Sequence, residues 1–295
     1  YHNLQSQVTS VGREFWLGFL DNREDDPWRR DTSSKYVLIS TENLAQVSIS
    51  IPNTNWSRNI TISPNSADTI QIPKQFSTVL DSEIPHNNKA IHIVSDSDIS
   101  CYAISQRRTS TDGTIILPQR ALGNDYIINS YTQVGANVWS SEFMIVGVEN
   151  NTQITIIPRW RTINNRAANA PFTITLQRGE LYQIKSSRQP ANDFTGTIVR
   201  SNGKKFALFG THEGTAMPIT MNSFFSYDLL FEQIFPANTF RNEYIAVDLW
   251  GRKTTTYRIL SINDNTTISM YGQIVATLHN GQLGDQSLDS NHYIS

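Results

Sequence analysis

Cysteine, glycine, proline and charged side chains are all scarce in this chain of 295 residues, which has one cysteine, 15 glycines, 11 prolines and 17% charged residues. A single thiol cannot form an internal disulfide, and it nearly excludes a zinc site built from cysteines. The net charge of −2 excludes a nucleic-acid binder that depends on a basic surface. No apolar run approaches the ~20 residues that a membrane helix needs, so we expect no membrane span in this segment.

Aromatic residues are present in numbers that can build a core: 13 Phe, 11 Tyr and 6 Trp. We therefore expect a folded chain. The lone cysteine, Cys101, lies in the alternating segment 99–104, which favours a packed core thiol over a reactive one. Four sequons for N-glycosylation occur, at Asn55, Asn59, Asn150 and Asn265. An uncharged polar composition of this kind is common in secreted and cell-surface β proteins.

Strand patterns dominate the chain. Apolar residues alternate with polar ones in short β-branched runs, for example in segments 46–51 and 59–62. Helical periodicity is nearly absent, and the single segment with helical character is 227–234. The sequence therefore predicts an all-β, antiparallel fold. Because alternating strands have one apolar face that needs a second layer, we expect sandwiches; a propeller is the alternative.

The strands recur as a larger unit. Units open at Gly12, Gly123 and Arg241, roughly 110 to 120 residues apart, and the last two are preceded by connectors that contain Pro118 and Pro236. We divide the chain into a lead-in, two repeat units and a third unit that is expected to be incomplete, as in a fragment of a longer protein: residues 1–11, 12–122, 123–240 and 241–295.

Two interior landmarks repeat within these units. Acidic and Asn residues separate two alternating arms at 42–43, 149–150 and 264–265, and we interpret these sites as hairpin tips, since Asn and Asp tolerate left-handed backbone. Asp96 and Asp98 are likewise predicted at a hairpin tip, which is echoed at 201–205.

The ordered set of landmarks resembles one known family. The opening segment 12–19, the Asn-rich connections and the pattern of 195–201 followed by 206–210 are similar to the IgGFc-binding protein N-terminal domain family over nearly the whole chain. Members are extracellular, adhesin-like proteins. The resemblance therefore implies an extracellular or cell-surface location and a non-enzymatic role in adhesion or ligand recognition, with no catalytic residues to carry over.

One departure from the family concerns cysteine. Members often carry paired cysteines after the position of His212 and directly before that of Asp228, where this chain has Gly214 or Thr215 and then Tyr227. The loop between them must be held by packing, and antibody binding does not follow from the resemblance.

The segment from His212 to Asp228 is the first candidate ligand-binding site. It has no counterpart of equal length in the first unit, and insertions on repeat proteins are often where binding occurs. Met and Phe side chains of the kind found at interfaces lie within it. The predicted binding residues are His212, Glu213, Met217, Met221, Phe224, Phe225 and Asp228. The alternative is that the two Met and two Phe side chains pack beneath the loop as a small core of their own.

Segment 21–30 is the second candidate, because its four carboxylates are suitable oxygen ligands for Ca²⁺. Three nearby arginines favour a salt-bridged loop instead. Trp28, Trp56, Trp139 and Trp160 lie in or beside predicted loops; they serve either as a sugar-stacking platform or, as we favour, as plugs at the ends of the sheets.

No serine-hydrolase elbow or zinc-protease motif occurs in the chain. We expect a binding module without a cofactor, whose partner is a protein or glycan on a surface or in a matrix. Two alternatives are a self-associating component of a filament or matrix, and a carbohydrate-binding accessory or carbohydrate-active enzyme. The enzyme would require a cleft with two acidic side chains and flanking Trp.

Overall fold

The computed structural model describes residues 9–23, 33–77, 79, 82–132, 139–216, 227–247, 255–270, 272–288 and 292–294. Strands account for 54% and helices for 4% of the described residues. The prediction of an all-β, antiparallel fold is confirmed. Among these residues, no helix has both the length and the apolar character needed to cross a bilayer.

The described strands and helices follow one another in a simple order. The strands are β1 (Val11–Leu17), β2 (Ser34–Thr41), β3 (Ala45–Ser50), β4 (Ser57–Ile62), β5 (Ser66–Ile72), β6 (Pro85–His86), β7 (Ile91–Arg107), β8 (Ser110–Ile116), β9 (Asp125–Ile127), β10 (Ser141–Gly147), β11 (Thr152–Ile157), β12 (Phe172–Leu176), β13 (Leu181–Lys185), β14 (Ile198–Ser201), β15 (Phe206–Thr215), β16 (Asp228–Gln233), β17 (Tyr244–Ala246), β18 (Thr255–Leu260), β19 (Thr266–Met270), β20 (Gln273–Leu278), β21 (Leu283–Leu288) and β22 (His292–Ile294). The helices are α1 (Lys74–Ser77) and two 3₁₀ turns, Gln119–Ala121 and Ala237–Thr239.

The first sheet is organised around β7, which is 17 residues long. Its first half pairs with β1 and β3, and its second half pairs with β2 and β8, all antiparallel. Strands β4 and β5 extend the sheet beyond β3 and β2. Cys101 lies in β7 and is fully buried, and this burial raises the pKa of its thiol, as a packed core cysteine requires.

The second pair of sheets forms a sandwich. One sheet, which we call the central sheet, has the order β16-β15-β10-β13-β6, and the outer sheet has the order β12-β11-β14-β9. The core between them includes Tyr126, Phe143, Phe194 and Phe206, all 0% exposed. Phe143 and Phe194 meet edge to face, with ring centroids 5.1 Å apart. The sandwich is therefore the architecture observed in this part of the chain.

The central sheet is buried on both faces. Its second face contributes Met144, Val146, Leu181 and Phe209 to the core that contains the strands of the first sheet. Burial on two faces explains why β10 is buried at every position and why its sequence reads as an almost continuous apolar run. The first sheet and the sandwich consequently share one core.

The last described strands form two small sheets, β17-β22-β19-β20 and β18-β21. A small core of Ala246, Ile268, Met270 and Leu278 lies between them. Two large apolar side chains nearby are strongly exposed: Ile245 at 76% and Ile274 at 70%.

The predicted hairpin tips are wrong. In each case the strands on either side of the tip pair with other strands and not with each other, because the connection crosses from one half or layer of sheet to the next. The connections are residues 42–44, 148–151 and 261–265. Asn151 and Asn265 do have the expected left-handed backbone, with φ of 55° and 56°. The Asn preference was interpreted correctly, but it serves a crossover.

Asp96 and Asp98 do not lie at a hairpin tip either. Both are within the continuous strand β7. Asp96 Oδ1 accepts a hydrogen bond of 2.8 Å from the Gln46 amide, and Asp98 pairs with Arg13 at 3.0 Å. They mark the point where β7 exchanges one set of partner strands for another.

The predicted helical segment 227–234 is also a correction, since it contains strand β16. The buried positions within it alternate, with Leu229 and Phe231 at 2% exposure, and β16 pairs with β15 along its length. Long-range pairing with a fully buried strand overrides a helical tendency over so few residues.

The same glycine–proline contact occurs at the start of the first and the second predicted unit. A Cβ added to Gly12 would lie 2.5 Å from Cβ of Pro118, and one added to Gly123 would lie 2.5 Å from Cβ of Pro236. Both prolines immediately precede a 3₁₀ turn. In each case the proline of one connector covers the glycine that opens a unit.

A second recurring contact joins the openings of the second and third units. The Gly123 amide donates to Tyr126 Oη at 2.8 Å, and the Arg241 amide donates to Tyr244 Oη at 2.9 Å. These contacts support the division at 123 and 241; the number of units and their boundaries remain a prediction.

Candidate functional site

A buried group of charged side chains lies between the central sheet and the loop that follows β1. The Lys185 ammonium is 2.5 Å from Asp21 Oδ2 and 2.6 Å from Glu213 Oε1. Glu142 lies directly opposite Lys185 in the pairing of β10 with β13. None of the four residues is more than 3% exposed. We call Asp21, Glu142, Lys185 and Glu213 the Lys185 cluster.

The alternation of side chains places the cluster on this face of the central sheet. Glu142 is two residues before Met144, and Lys185 is four residues after Leu181, so these charged residues share a face with apolar ones that contact the first sheet. Glu213 lies near the end of β15, and its amide donates a hydrogen bond to the Ser140 carbonyl. The cluster is therefore the polar end of an otherwise apolar interface.

Burial dominates the electrostatics of Glu142. It raises the pKa of this carboxyl well above its usual range; Lys185 opposes the rise, whereas Glu213 and Asp21 add to it. Within the part of the chain that the structure describes, neither carboxyl oxygen of Glu142 has a hydrogen-bond partner. Burial therefore favours the protonated form of this carboxyl.

Lys185 has the opposite balance. Burial by itself would lower the pKa of its ammonium, but Glu213, Asp21 and Glu142 together raise it above the ordinary value. Glu213 is held from its other oxygen, Oε2, which accepts from the Ser140 amide at 2.8 Å and lies 3.3 Å from the Arg188 guanidinium. The Lys185 ammonium thus lies between the carboxylates of Asp21 and Glu213, with Glu142 as a third buried carboxyl group beside it.

His212 is on the opposite face of β15 and is 0% exposed. Burial lowers the pKa of its imidazole to about 3, and the nearby Arg23 guanidinium lowers it further, although the Gly214 amide hydrogen bond to Nδ1 opposes this. The ring is therefore neutral at physiological pH.

Asp228 is the exposed end of the first candidate segment. Its Oδ1 accepts a hydrogen bond of 2.9 Å from the Thr111 amide, and Asp228 is paired with Thr215 across β15 and β16. The two ends of segment 216–227 are consequently held side by side. The predicted contacts Met217, Met221, Phe224 and Phe225 lie outside the described residues.

Three loop ends meet at the cluster. Two arginines lie close to Trp139, with the Arg23 guanidinium 5.8 Å and the Arg188 guanidinium 5.4 Å from its ring centroid. A Cβ added to Gly214 would lie 2.8 Å from Arg23 Cδ. Segments 21–30 and 212–228 and Trp139 were separate candidates in the sequence; the structure brings their described ends together.

The remaining tryptophans and most carboxylates of segment 21–30 are not brought to the Lys185 cluster by the described part of the structure. Trp56 and Trp160 are partly buried and pack against the two main cores, as the plug interpretation predicts, and Trp28 lies outside the described residues. Most carboxylates of segment 21–30 are also outside them, so the Ca²⁺ hypothesis remains a prediction. Within the described ranges, no three or more His, Cys, Asp and Glu side chains are grouped to hold a metal ion.

Sequence reasoning missed Glu142, Lys185 and Arg188. The signal that was available is a charged residue at the end of an apolar strand: Glu142 near the start of β10 and Lys185 at the end of β13. A charge at a position whose alternation points to the core needs a partner. Only the fold shows that the partners come from the loop after β1 and from β10, β13 and β15.

The cluster does not have the geometry of a glycosidase. Such an enzyme needs two carboxyls that contact the substrate on either side of the scissile bond. Glu142 and Glu213 are both 0% exposed, so a sugar cannot reach them. Their arrangement gives no support to the carbohydrate-active alternative.

Comparison with known proteins adds a family. The family model described as IgGFc binding protein matches residues 112–295. A human relative, IgGFc-binding protein, is 26% identical over 251 residues, which is 82% of this chain and 4% of the relative. The chain therefore spans only a small part of that relative's length. No solved structure matches the chain.

Proposed function

Because this chain belongs to the IgGFc-binding protein family, we propose that it is an extracellular protein-binding module of a larger cell-surface or secreted protein. The family is named for binding and not for a reaction. We place the binding surface on segment 212–228, with segment 21–30 and the surroundings of Trp139 beside it.

The observation that supports this location is the meeting of three loop ends at the Lys185 cluster. The ends rest on a central sheet whose two faces are both buried. Binding residues concentrate on loops carried by rigid scaffolds, and a loop whose ends are already fixed loses less freedom when a partner binds.

The predicted binding residues then divide by position. Met217, Met221, Phe224, Phe225 and Asp228 are the proposed contacts with the partner, since adaptable and aromatic side chains are enriched at interfaces. His212 and Glu213 have no exposed surface, and we assign them to holding the segment from beneath.

The first partner to test is the Fc fragment of IgG, because the human relative is named for it. We expect the chain to bind immobilised IgG Fc and not the Fab fragment of the same antibody in biolayer interferometry. Replacing residues 217–226 with a short Gly-Ser linker is expected to weaken this binding at least tenfold, by roughly 1.4 kcal/mol or more. The linker can be short because Thr215 and Asp228 are paired.

The matched control is the same replacement at residues 167–170, an exposed turn on the outer sheet. It should leave the affinity unchanged. No binding to Fc, or equal affinity in the chain and in the 217–226 replacement, would contradict the proposal.

Self-association is a second candidate, and the exposed apolar residues of β17 and β20 favour it. Ile245 and Ile274 are among the most exposed large apolar side chains described, and such patches mark interaction surfaces. Light scattering should then show an average mass that rises with concentration, and Ile245→Lys with Ile274→Lys should abolish the rise. A constant monomer mass in the unmodified chain would exclude this role.

A further inference from the structure

The Lys185 ammonium and the Asp21 carboxylate are in contact in a buried site. Lys185 Nζ is 2.5 Å from Asp21 Oδ2, and the two side chains are 3% and 0% exposed. They are 164 residues apart in the sequence, one on the loop after β1 and one on β13. We propose that Lys185 and Asp21 condense into an intramolecular amide bond that ties the first sheet to the central sheet.

Glu213 is nearly as close to Lys185 Nζ as Asp21 is, but its contacts assign it a different role in the reaction. Its Oε2 accepts from the Ser140 amide and lies beside the Arg188 guanidinium. These contacts engage Oε2 and hold the Glu213 carboxylate in place. With Oε1 at 2.6 Å from Nζ, Glu213 is instead placed to accept a proton from the ammonium.

The condensation balances without any further reactant. Glu213 takes one proton from the Lys185 ammonium, and Glu142 gives its proton to the Asp21 carboxylate. The free amine then attacks Cγ of Asp21, so that an N–C bond forms. The bond from Cγ to one carboxyl oxygen then breaks. That oxygen leaves as water with two protons, one returned by Glu213 and one supplied by Glu142, which regains a proton from the attacking nitrogen.

Glu142 has a position suited to this transfer. It lies directly opposite Lys185 in the sheet and is fully buried. Its oxygens have no hydrogen-bond partner in the described part of the chain, and burial raises the pKa of its carboxyl. A buried neutral acid without a structural hydrogen bond costs stability, which a chemical role would account for.

Burial also favours the product. Two charged groups that are expensive to keep in a dry site become one neutral amide, and water has little access for hydrolysis. The bond would fix the loop end at Asp21 to β13 of the central sheet, where Lys185 also contacts Glu213 of segment 212–228. It would strengthen the support for the proposed binding surface, but the inference does not depend on that function.

The test is the intact mass of the denatured chain. We expect a mass lower than that of the sequence by one water. After trypsin, the peptides 14–23 and 179–188 should remain joined, with no cleavage after Lys185. A mass equal to that of the full sequence, with the two peptides separate, would overturn the proposal.

Variants locate the bond. Asp21→Ala should restore the full mass, whereas Asp98→Ala, which removes an exposed pair with Arg13, should keep the loss of water. Loss of water that persists in Asp21→Ala would also overturn the proposal. In Glu142→Gln, most or all of the molecules should keep the full mass. If every molecule of that variant loses one water, Glu142 has no part in the mechanism.

Discussion

His212 is a histidine whose burial has removed it from ordinary acid–base chemistry. The side chain is 0% exposed on the sandwich side of β15, and its Nδ1 accepts a hydrogen bond from the Gly214 amide. With its pKa lowered to about 3 by burial, the imidazole stays neutral in the folded chain at a pH where the unfolded chain already binds a proton.

This residue predicts a pH dependence of stability. The unfolded chain binds the proton with a pKa near 6.5 and the folded chain with one of about 3, so the contribution is complete above 6.5 and is lost as the pH falls toward 3. The slope is about 1.4 kcal/mol per pH unit. We expect His212→Gln to reduce the loss of unfolding free energy between about pH 6.5 and pH 4, measured with urea.

The control for this prediction is His279→Gln, which changes an exposed ring and should leave the pH profile of the chain unaltered. Profiles of equal slope for the chain and His212→Gln would show that another group is responsible for acid sensitivity.

Lys185 gives a second prediction at this scale. Lys185→Met leaves Asp21 and Glu213 buried without the ammonium between them, and breaking such a pair typically costs about 3 to 5 kcal/mol. Arg13→Met removes an exposed partner of Asp98 and should cost less than about 1 kcal/mol. Urea denaturation compares the two, and similar costs would mean that the Lys185 cluster does not stabilise the fold.

The sequence pointed to part of this cluster. Glu213 stands out, next to His212, as a polar residue at the end of an apolar strand, and Asp21 stands out in an acidic segment. Their burial was not predictable, because the partners Glu142 and Lys185 lie on other strands and pair only after the sheets pack.

At the scale of elements, connections were harder to predict than strands. An Asn-rich tip between two alternating arms is compatible with a hairpin and with a connection between strands that do not pair, since Asn in left-handed backbone occurs in both. Local patterns carry no information on which strand is the partner. The same limitation applies to β16, where pairing with β15 determines the structure of a short apolar segment.

The glycine at the start of the second unit gives a prediction for an element junction. A Cβ at Gly123 would lie 2.5 Å from Pro236 Cβ, so Gly123→Ala should force the connector outward and cost about 1 to 3 kcal/mol. Gly284→Ala is the control, because a Cβ there meets its neighbours at 3.5 Å or more. Thermal unfolding of the two variants should differ; equal midpoints would show that the connector is not packed on Gly123.

For the whole molecule, alternation and the scarcity of helical patterns were sufficient to predict an all-β fold with two-layer packing. What the sequence did not show is that the central sheet is buried on both faces, so that the first sheet and the sandwich share a core. This sharing fixes the loop ends at Arg23, Trp139 and Glu213 in one place, which no single repeat unit predicts.

Amide hydrogen exchange of the chain with and without IgG Fc tests most directly whether segment 212–228 is the binding surface. We expect exchange to slow in peptides that cover 212–228, with smaller effects at 21–30 and 133–139. The repeated connections at 42–44, 148–151 and 261–265 should be unaffected, because folding alone accounts for their residues. Slowing confined to those connections, with 212–228 unchanged, would contradict the proposed site.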